Sequence, residues 1–194
     1  MTLRSLWDGV RIADAPLSFA GLSIGARMTV LELGQGALVH SPLPLTDELR
    51  EAVHSARFVL APNLFHHLYV KSWAETGAAL WAAPGLEKKR SDVPFVGSVA
   101  AGEKPFGSEI EALTLSCFSL SNEVAVLHKP SRTLVVTDLL FNLPESAPGF
   151  TRFAFRLLGG YPGVRSTHLE RLLMKRAQAR ADLEHILSWE FARV

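Results

Sequence analysis

Apolar positions along the chain fall into short runs separated by Gly, Pro and charge, and their period changes from two to nearly four towards the carboxy end. Residues 2–41 read as an antiparallel meander. Within it Met28–Leu33 (MTVLEL) and Ala37–His40 are strands, and Gly34-Gln35-Gly36 offers the positive-φ positions of a tight hairpin. Ser41-Pro42-Leu43-Pro44 breaks that sheet, because proline cannot donate to a ladder. Thr46 is a good N-cap for a helix Asp47–Ser55 with Leu49 and Val53 at helical spacing, and Arg57–Leu60 is the next buried strand. A helix is predicted over Leu64–Thr76 with Gly77 as its stop, then a strand Ala78–Ala83 (AALWAA). Leu86–Gly107, rich in Gly, Pro and charge, reads as a surface excursion. Ile110–Phe118, Glu123–His128 and Thr133–Thr137 are strands, the last two joined through Lys129-Pro130-Ser131-Arg132. Helical spacing takes over in Phe150–Leu158 and His168–Leu187, with Gly159–Gly163 as the break between them.

Two meanders, each followed by apolar helices, need two sheets to cover. They are predicted to pack face to face with helices outside, in one domain spanning 1–194. The hairpins Met28–His40 and Glu123–Thr137 then belong to different sheets. Hydrophobic residues at 48% and charged residues at 20% describe a globular chain. A net charge of +1 excludes a strong basic field, so no nucleic-acid partner is expected. No run approaches about 18 apolar residues, so neither a membrane span nor a signal peptide is expected. The single cysteine, Cys117 in EALTLSCFSL, excludes an internal disulfide and a cysteine-built zinc site. It reads as a buried, inert thiol, and a reducing cytoplasm is the expected compartment. Trp73 and Trp81 are expected in the core.

Candidate chemistry gathers at strand ends, where loops collect functional groups. RFVLAPNLFHHLYVKSW (57–73) places Asn63, His66 and His67 just where the chain leaves a strand, and Thr133–Thr137 delivers Asp138 to a similar position. If helical, the adjacent histidines would diverge by about 100°, so one of them is expected to be structural. Asn63 is a natural turn former, His40 stands at another strand end beside prolines, and His128 is expected at the far, exposed end. Lys71, with Lys88-Lys89-Arg90, is a candidate for a mouth that draws in an anionic small molecule; a solvated surface is the plainer reading of those charges.

The order of elements and these strand-end motifs resemble the metallo-β-lactamase fold, an α+β four-layer αββα sandwich. MTVLELGQGALVHSP is similar to the family's opening hairpin, with His40-Ser41-Pro42 where an aspartate usually precedes the turn. RFVLAPNLFHHLYVKSWAE stands in the place of the metal-binding His-x-His-x-Asp-His segment, of which only Asn63, His66 and His67 remain. NEVAVLHKPSRTLVVTDLLFN resembles the hairpin ending in Gly-Asp-x-x-Phe, and Asp138 falls on its metal-bridging aspartate. Residues 116–122 stand where the family supplies another histidine and contain none. The family's last histidine would follow a strand beginning near 189–194, so the domain is expected to stop short of that strand or to lack it.

The resemblance therefore implies an uncharacterised branch with an eroded metal motif, lacking the classical hydrolase activity and holding no resident cofactor. Its alternative is a mononuclear hydrolase of a small anionic or ester substrate. There His66, His67 and Asp138 would hold one Zn²⁺, Mn²⁺ or Fe²⁺, with Asn63, His40 or a lost C-terminal histidine completing the shell. An interaction module using Leu86–Gly107 is a third, weaker reading. On the first reading Asp138 and the histidine pair lie within about 8 Å of each other, more loosely than metal ligands.

Overall fold

The molecule, a computed structural model, is described here over residues 1–100, 103–118 and 120–194. Its elements run β1 (Arg4–Trp7), β2 (Val10–Ala15), β3 (Ser18–Phe19), β4 (Leu22–Ser23), β5 (Ala26–Leu33), β6 (Gly36–His40), α1 (Asp47–Ala52) and β7 (Ala56–Ala61). A 3₁₀ segment Val70–Thr76 follows, then β8 (Ala79–Ala82), α2 (Leu86–Lys89), β9 (Gly97–Ser98), β10 (Ile110–Thr114), β11 (Val124–His128) and β12 (Thr133–Val135). Three helices close the chain: α3 (Gly149–Leu157), α4 (His168–Leu173) and α5 (Arg176–Leu187).

The period-two alternation of the strands builds the layers. One sheet has seven strands in the order β1-β2-β5-β6-β7-β8-β9, antiparallel up to β6 and parallel from there on; the second is the antiparallel β10-β11-β12, and β3-β4 form a small ribbon of their own. In the large sheet Met28, Val30, Val39 and Val59 face outwards into a core with Leu49, Val53, Val70 and Trp73 from the covering helical segments. Their neighbours Leu31, Leu38 and Leu60 face inwards and meet Ile110, Val124, Val126 and Val135 of the small sheet. The small sheet's other face, Leu115, Ala125 and Leu134, is covered by Ala179 and Ile186 of α5. The result is helix, sheet, sheet, helix, with the two hairpins in separate sheets. In the β5–β6 turn only Gly36 needs a glycine: its φ is +117° and a Cβ would stand 2.6 Å from the Ser55 carbonyl oxygen.

Polar bonds pin the sheets together at both ends. At one end Val124 N–H donates to Pro62 O (2.8 Å) and Leu64 N–H to Ser121 O (2.8 Å). At the other, His128 Nε2 donates to Glu32 O (2.8 Å) and the Trp7 indole to Thr133 Oγ1 (2.9 Å). His128 is thus fully buried and structural, where exposure was expected.

Leu86–Gly107 is less of a surface excursion than expected, since Leu86, Val93, Val99 and Phe106 are buried and β9 pairs with β8. Two predicted helices also differ, each because local groups compete for the backbone. Residues 64–69 turn irregularly and only 70–76 coil, as a 3₁₀ segment. Asn63 Oδ1 accepts from both Phe65 N and His66 N at 2.8 Å, while the Leu64 and His67 carbonyls are taken by Lys89 Nζ and Arg90 Nη1. The predicted helix 168–187 is broken between α4 and α5, where Lys175 N–H donates to Cys117 O instead (2.9 Å). Residues 189–194 form no regular strand; they contribute a single parallel bridge, Thr133 to Arg193, at the edge of β12.

Cys117 is buried as expected, and burial, with the Asp182 carboxylate beside it, pushes its thiol up to about 11. The Asp182 carboxylate accepts from Cys117 N–H (2.9 Å), which ties α5 to the exit of β10.

Candidate functional site

Three strand ends deliver polar side chains to one end of the inter-sheet space. β6 ends in His40 with Ser41 just after it, β7 runs on into Asn63 and His66, and the chain after β12 carries Thr137 and Asp138. Ser41 Oγ is 2.7 Å from His66 Nδ1, and His66 Nε2 is 3.4 Å from Asp138 Oδ1. The fully buried Asn63 donates through Nδ2 to Thr137 Oγ1 (2.9 Å) and Asp138 Oδ2 (2.7 Å) while its Oδ1 holds the turn that presents His66. Asn63 therefore joins the two sheets as well as forming the turn.

Ser41 adopts φ +56°, the left-handed region that side chains other than Gly and Asn rarely enter. Such a conformation costs on the order of 1–3 kcal/mol and persists only where its surroundings over-determine it. Here Ser41 N–H is bonded to Leu60 O of β7 (3.0 Å), and Pro42 fixes the next residue. His40 is buried, and burial, then the His66 charge, hold its imidazole down at about 3, so it is neutral. Among the described residues its buried Nε2 has no hydrogen-bond partner.

Below Asp138 lies Glu123, only 1% exposed. One carboxylate oxygen accepts from Thr137 N–H (2.6 Å) and the other from Leu139 N–H (2.8 Å), so Glu123 clamps the backbone on both sides of Asp138. Burial pushes its carboxyl up to about 7; the Thr137 amide works against this and the Asp138 charge adds to it.

The remaining candidates point elsewhere. His67 leaves its neighbour and lies 3.0 Å from Arg90 Nη1, with burial and the Lys89 and Arg90 charges holding its imidazole below the ordinary range. Lys71 pairs with Asp92 (3.1 Å), which also binds Arg90 (2.8 Å), on the exposed surface. The structure therefore brings together His66, Asp138, Asn63 and His40, and leaves out His67 and Lys71. It adds Ser41, Glu123 and Thr137, which sequence reasoning had passed over. The only sequence signal for Glu123 is an acid at the head of the apolar run Val124–Leu127.

His40, Ser41, His66 and Asp138 lie at one end of an open cleft of about 620 Å³ whose other walls include Ile12, Val135, Leu140 and Phe141. A mainly apolar groove with a few convergent polar groups suits a small molecule. Asp138→Ala is expected to lower stability by no more than about 1–2 kcal/mol, because Asn63 keeps its bond to Thr137. Urea unfolding measures this, and a larger loss would mean that the carboxylate carries part of the fold itself.

As metal ligands these groups do not fit. Among the described residues no three His, Cys, Asp or Glu side chains converge on one point. His66 Nε2 and Asp138 Oδ1, at 3.4 Å, are closer than the loose arrangement expected, but His66 Nδ1 is held by Ser41, Asp138 Oδ2 is bonded to Asn63, and His67 lies away from the pair.

No family model and no curated protein matches the sequence. Solved structures do. The IND-7 metallo-β-lactamase superposes with a TM-score of 0.66 at 13% identity, over 100% of this chain and 88% of that one. The DIM-1 metallo-β-lactamase exposed to ceftazidime gives 0.62 at 12%, over 95% and 97%. The mono-zinc form of FIM-1 from Pseudomonas aeruginosa gives 0.62 at 8%, over 94% and 96%. The αββα layering is thus that of the metallo-β-lactamases, and this protein has the metallo-β-lactamase fold. At these identities the likeness speaks for the fold alone.

Proposed function

We propose that this is a metallo-β-lactamase-fold protein whose metal centre has been replaced by an internal hydrogen-bond network, and that its cleft takes a small molecule without metal-dependent hydrolysis. One observation carries the reading: among the described residues no three His, Cys, Asp or Glu side chains converge, and Ser41 Oγ holds His66 Nδ1 at 2.7 Å. An ion taken by Nδ1 would have to displace Ser41, and one placed between Nε2 and Asp138 would find too few donors, since a mononuclear site needs at least three. The buried Cys117, its thiol held up by burial, fits a reducing cytoplasm as part of the same proposal. Among the described residues no helix is long and apolar enough to cross a membrane.

A mononuclear hydrolase is the second reading. The orphaned Nε2 of His40 favours it, as a nitrogen without a partner near His66. Elemental analysis of tag-free protein purified without added metal decides between the two. The expected result is metal well below one equivalent, with no gain in thermal stability on adding zinc or manganese. Stoichiometric metal that is lost on Asp138→Ala would overturn the first reading and establish the second.

A further inference from the structure

We propose that Ser41, His66 and Asp138 form a nucleophile–base–acid triad, so that the cleft is the active site of a metal-independent serine esterase acting on small carboxylic esters with an apolar acyl group. The inference rests on the reading that His66 does not hold a metal.

The geometry supplies each part. A nucleophile needs a base within about 2.6–3.2 Å and a third group to orient that base. Ser41 Oγ lies 2.7 Å from His66 Nδ1, and the Asp138 carboxylate stands 3.4 Å from Nε2 on the other side of the ring. A carboxylate beside Nε2 favours the tautomer with its proton there, leaving the Nδ1 lone pair to accept from Ser41 Oγ–H. The two nitrogens exchange the places they have in serine proteases, but either can act as base when the other carries the proton. The acid–base separation is longer than a hydrogen bond, as is common before substrate binds.

Asp138 is a positioning residue, itself fixed by Asn63 Nδ2 at 2.7 Å and by the Glu123 clamp on the amides of Thr137 and Leu139. Ser41 sits just past the end of β6 with φ +56°, a constrained backbone of the kind that gathers at reactive sites. All three side chains line the cleft, and Val135, Leu140 and Phe141 give the acyl group an apolar wall.

The reaction balances without a further reactant than water. Ser41 Oγ attacks the ester carbonyl carbon as its proton passes to His66 Nδ1. The tetrahedral intermediate collapses, the bond to the alkoxy oxygen breaks, and Nδ1–H protonates the departing alcohol. Water then attacks the acyl-serine and gives a proton to Nδ1. The bond to Ser41 Oγ breaks, that proton returns to Oγ, and the carboxylic acid leaves.

The test treats the full chain with a fluorophosphonate probe after EDTA dialysis, maps the adduct by peptide mass spectrometry, and follows p-nitrophenyl butyrate hydrolysis in parallel. A covalent adduct on Ser41 is expected, with none in Ser41→Ala or Ser41→Gly; the glycine variant relaxes the left-handed backbone and guards against a folding failure. In His66→Ala the labelling rate should fall by roughly 10²–10⁴-fold, the usual worth of a general base. Asp138→Asn should slow labelling while leaving the far-UV spectrum and melting temperature near wild type, which a merely structural carboxylate would not do. Folded wild type that takes no label at Ser41, or labelling as fast in His66→Ala, overturns the triad. If that protein is also metal-free, the triad fails and the metal-free reading stands; if His66 is found to bind stoichiometric metal, both fail.

Discussion

Replacing Glu123 with alanine is expected to cost about 2–4 kcal/mol at pH 5.5, and markedly less at pH 8. The change removes the acceptors of two buried backbone N–H groups, Thr137 and Leu139, and orphaning each costs about 1–3 kcal/mol. Part of that loss is offset because a carboxyl that resists ionisation is removed as well. The pH dependence follows from the sign of its shift. Burial raises the Glu123 carboxyl from an ordinary 4.5 to about 7, so the folded state holds its proton more tightly than the unfolded chain does. The associated stability is fully present below about pH 4.5 and is lost as pH rises towards 7. Between pH 5.5 and 8 the loss amounts to about 2 kcal/mol, taking one pKa unit as about 1.4 kcal/mol. Urea unfolding of wild type and Glu123→Ala at the two pH values measures it. A gap between the two proteins that widened with pH would contradict the assignment.

Trp73→Ala should be the larger loss at any pH, about 3–5 kcal/mol for truncating a fully buried tryptophan. For a chain of this size that corresponds to a melting temperature lower by roughly 6–20 °C. Trp73 packs between the large sheet and its covering segments, and its indole donates to Leu43 O at 2.8 Å. That bond joins the segment following His66 to the segment following Ser41. The variant should therefore loosen the site as well as the core, and Trp73→Phe, which restores much of the volume but not the hydrogen bond, should recover most of the stability. Scanning calorimetry reads both, and a drop of under about 3 °C for the alanine variant would show that the core closes over the gap.

The layering was legible in the sequence because strand alternation and hairpin turns are local signals. Met28, Val30 and Leu31 declare their faces by spacing alone, and the two hairpins could be assigned to separate sheets. His66 and Asp138 were legible for a related reason, since both follow apolar strands that end on the same side. What separates His66 from His67 was not. Their divergence depends on Asn63 capturing two amides and on Arg90, 23 residues further along, taking the His67 carbonyl. Ser41 carries no mark in the sequence of the left-handed backbone it adopts, because that conformation is imposed by β7 alongside. Glu123 looked like the start of a strand, and only the folded chain shows the Thr137 and Leu139 amides closing on it.

The polar bonds joining the two sheets at both ends bear on the mechanics of the sandwich. Two apolar faces in contact resist being pulled apart, but they offer little resistance to sliding, since one methyl is much like the next. Asn63 bonded to Thr137 and Asp138 at one end, and His128 bonded to Glu32 at the other, act as dowels that fix the relative register of the sheets. The cleft opens beside the first of these dowels. A molecule lodging against His66 and Asp138 would thus brace the joint itself, and slow the opening of strands far from where it sits.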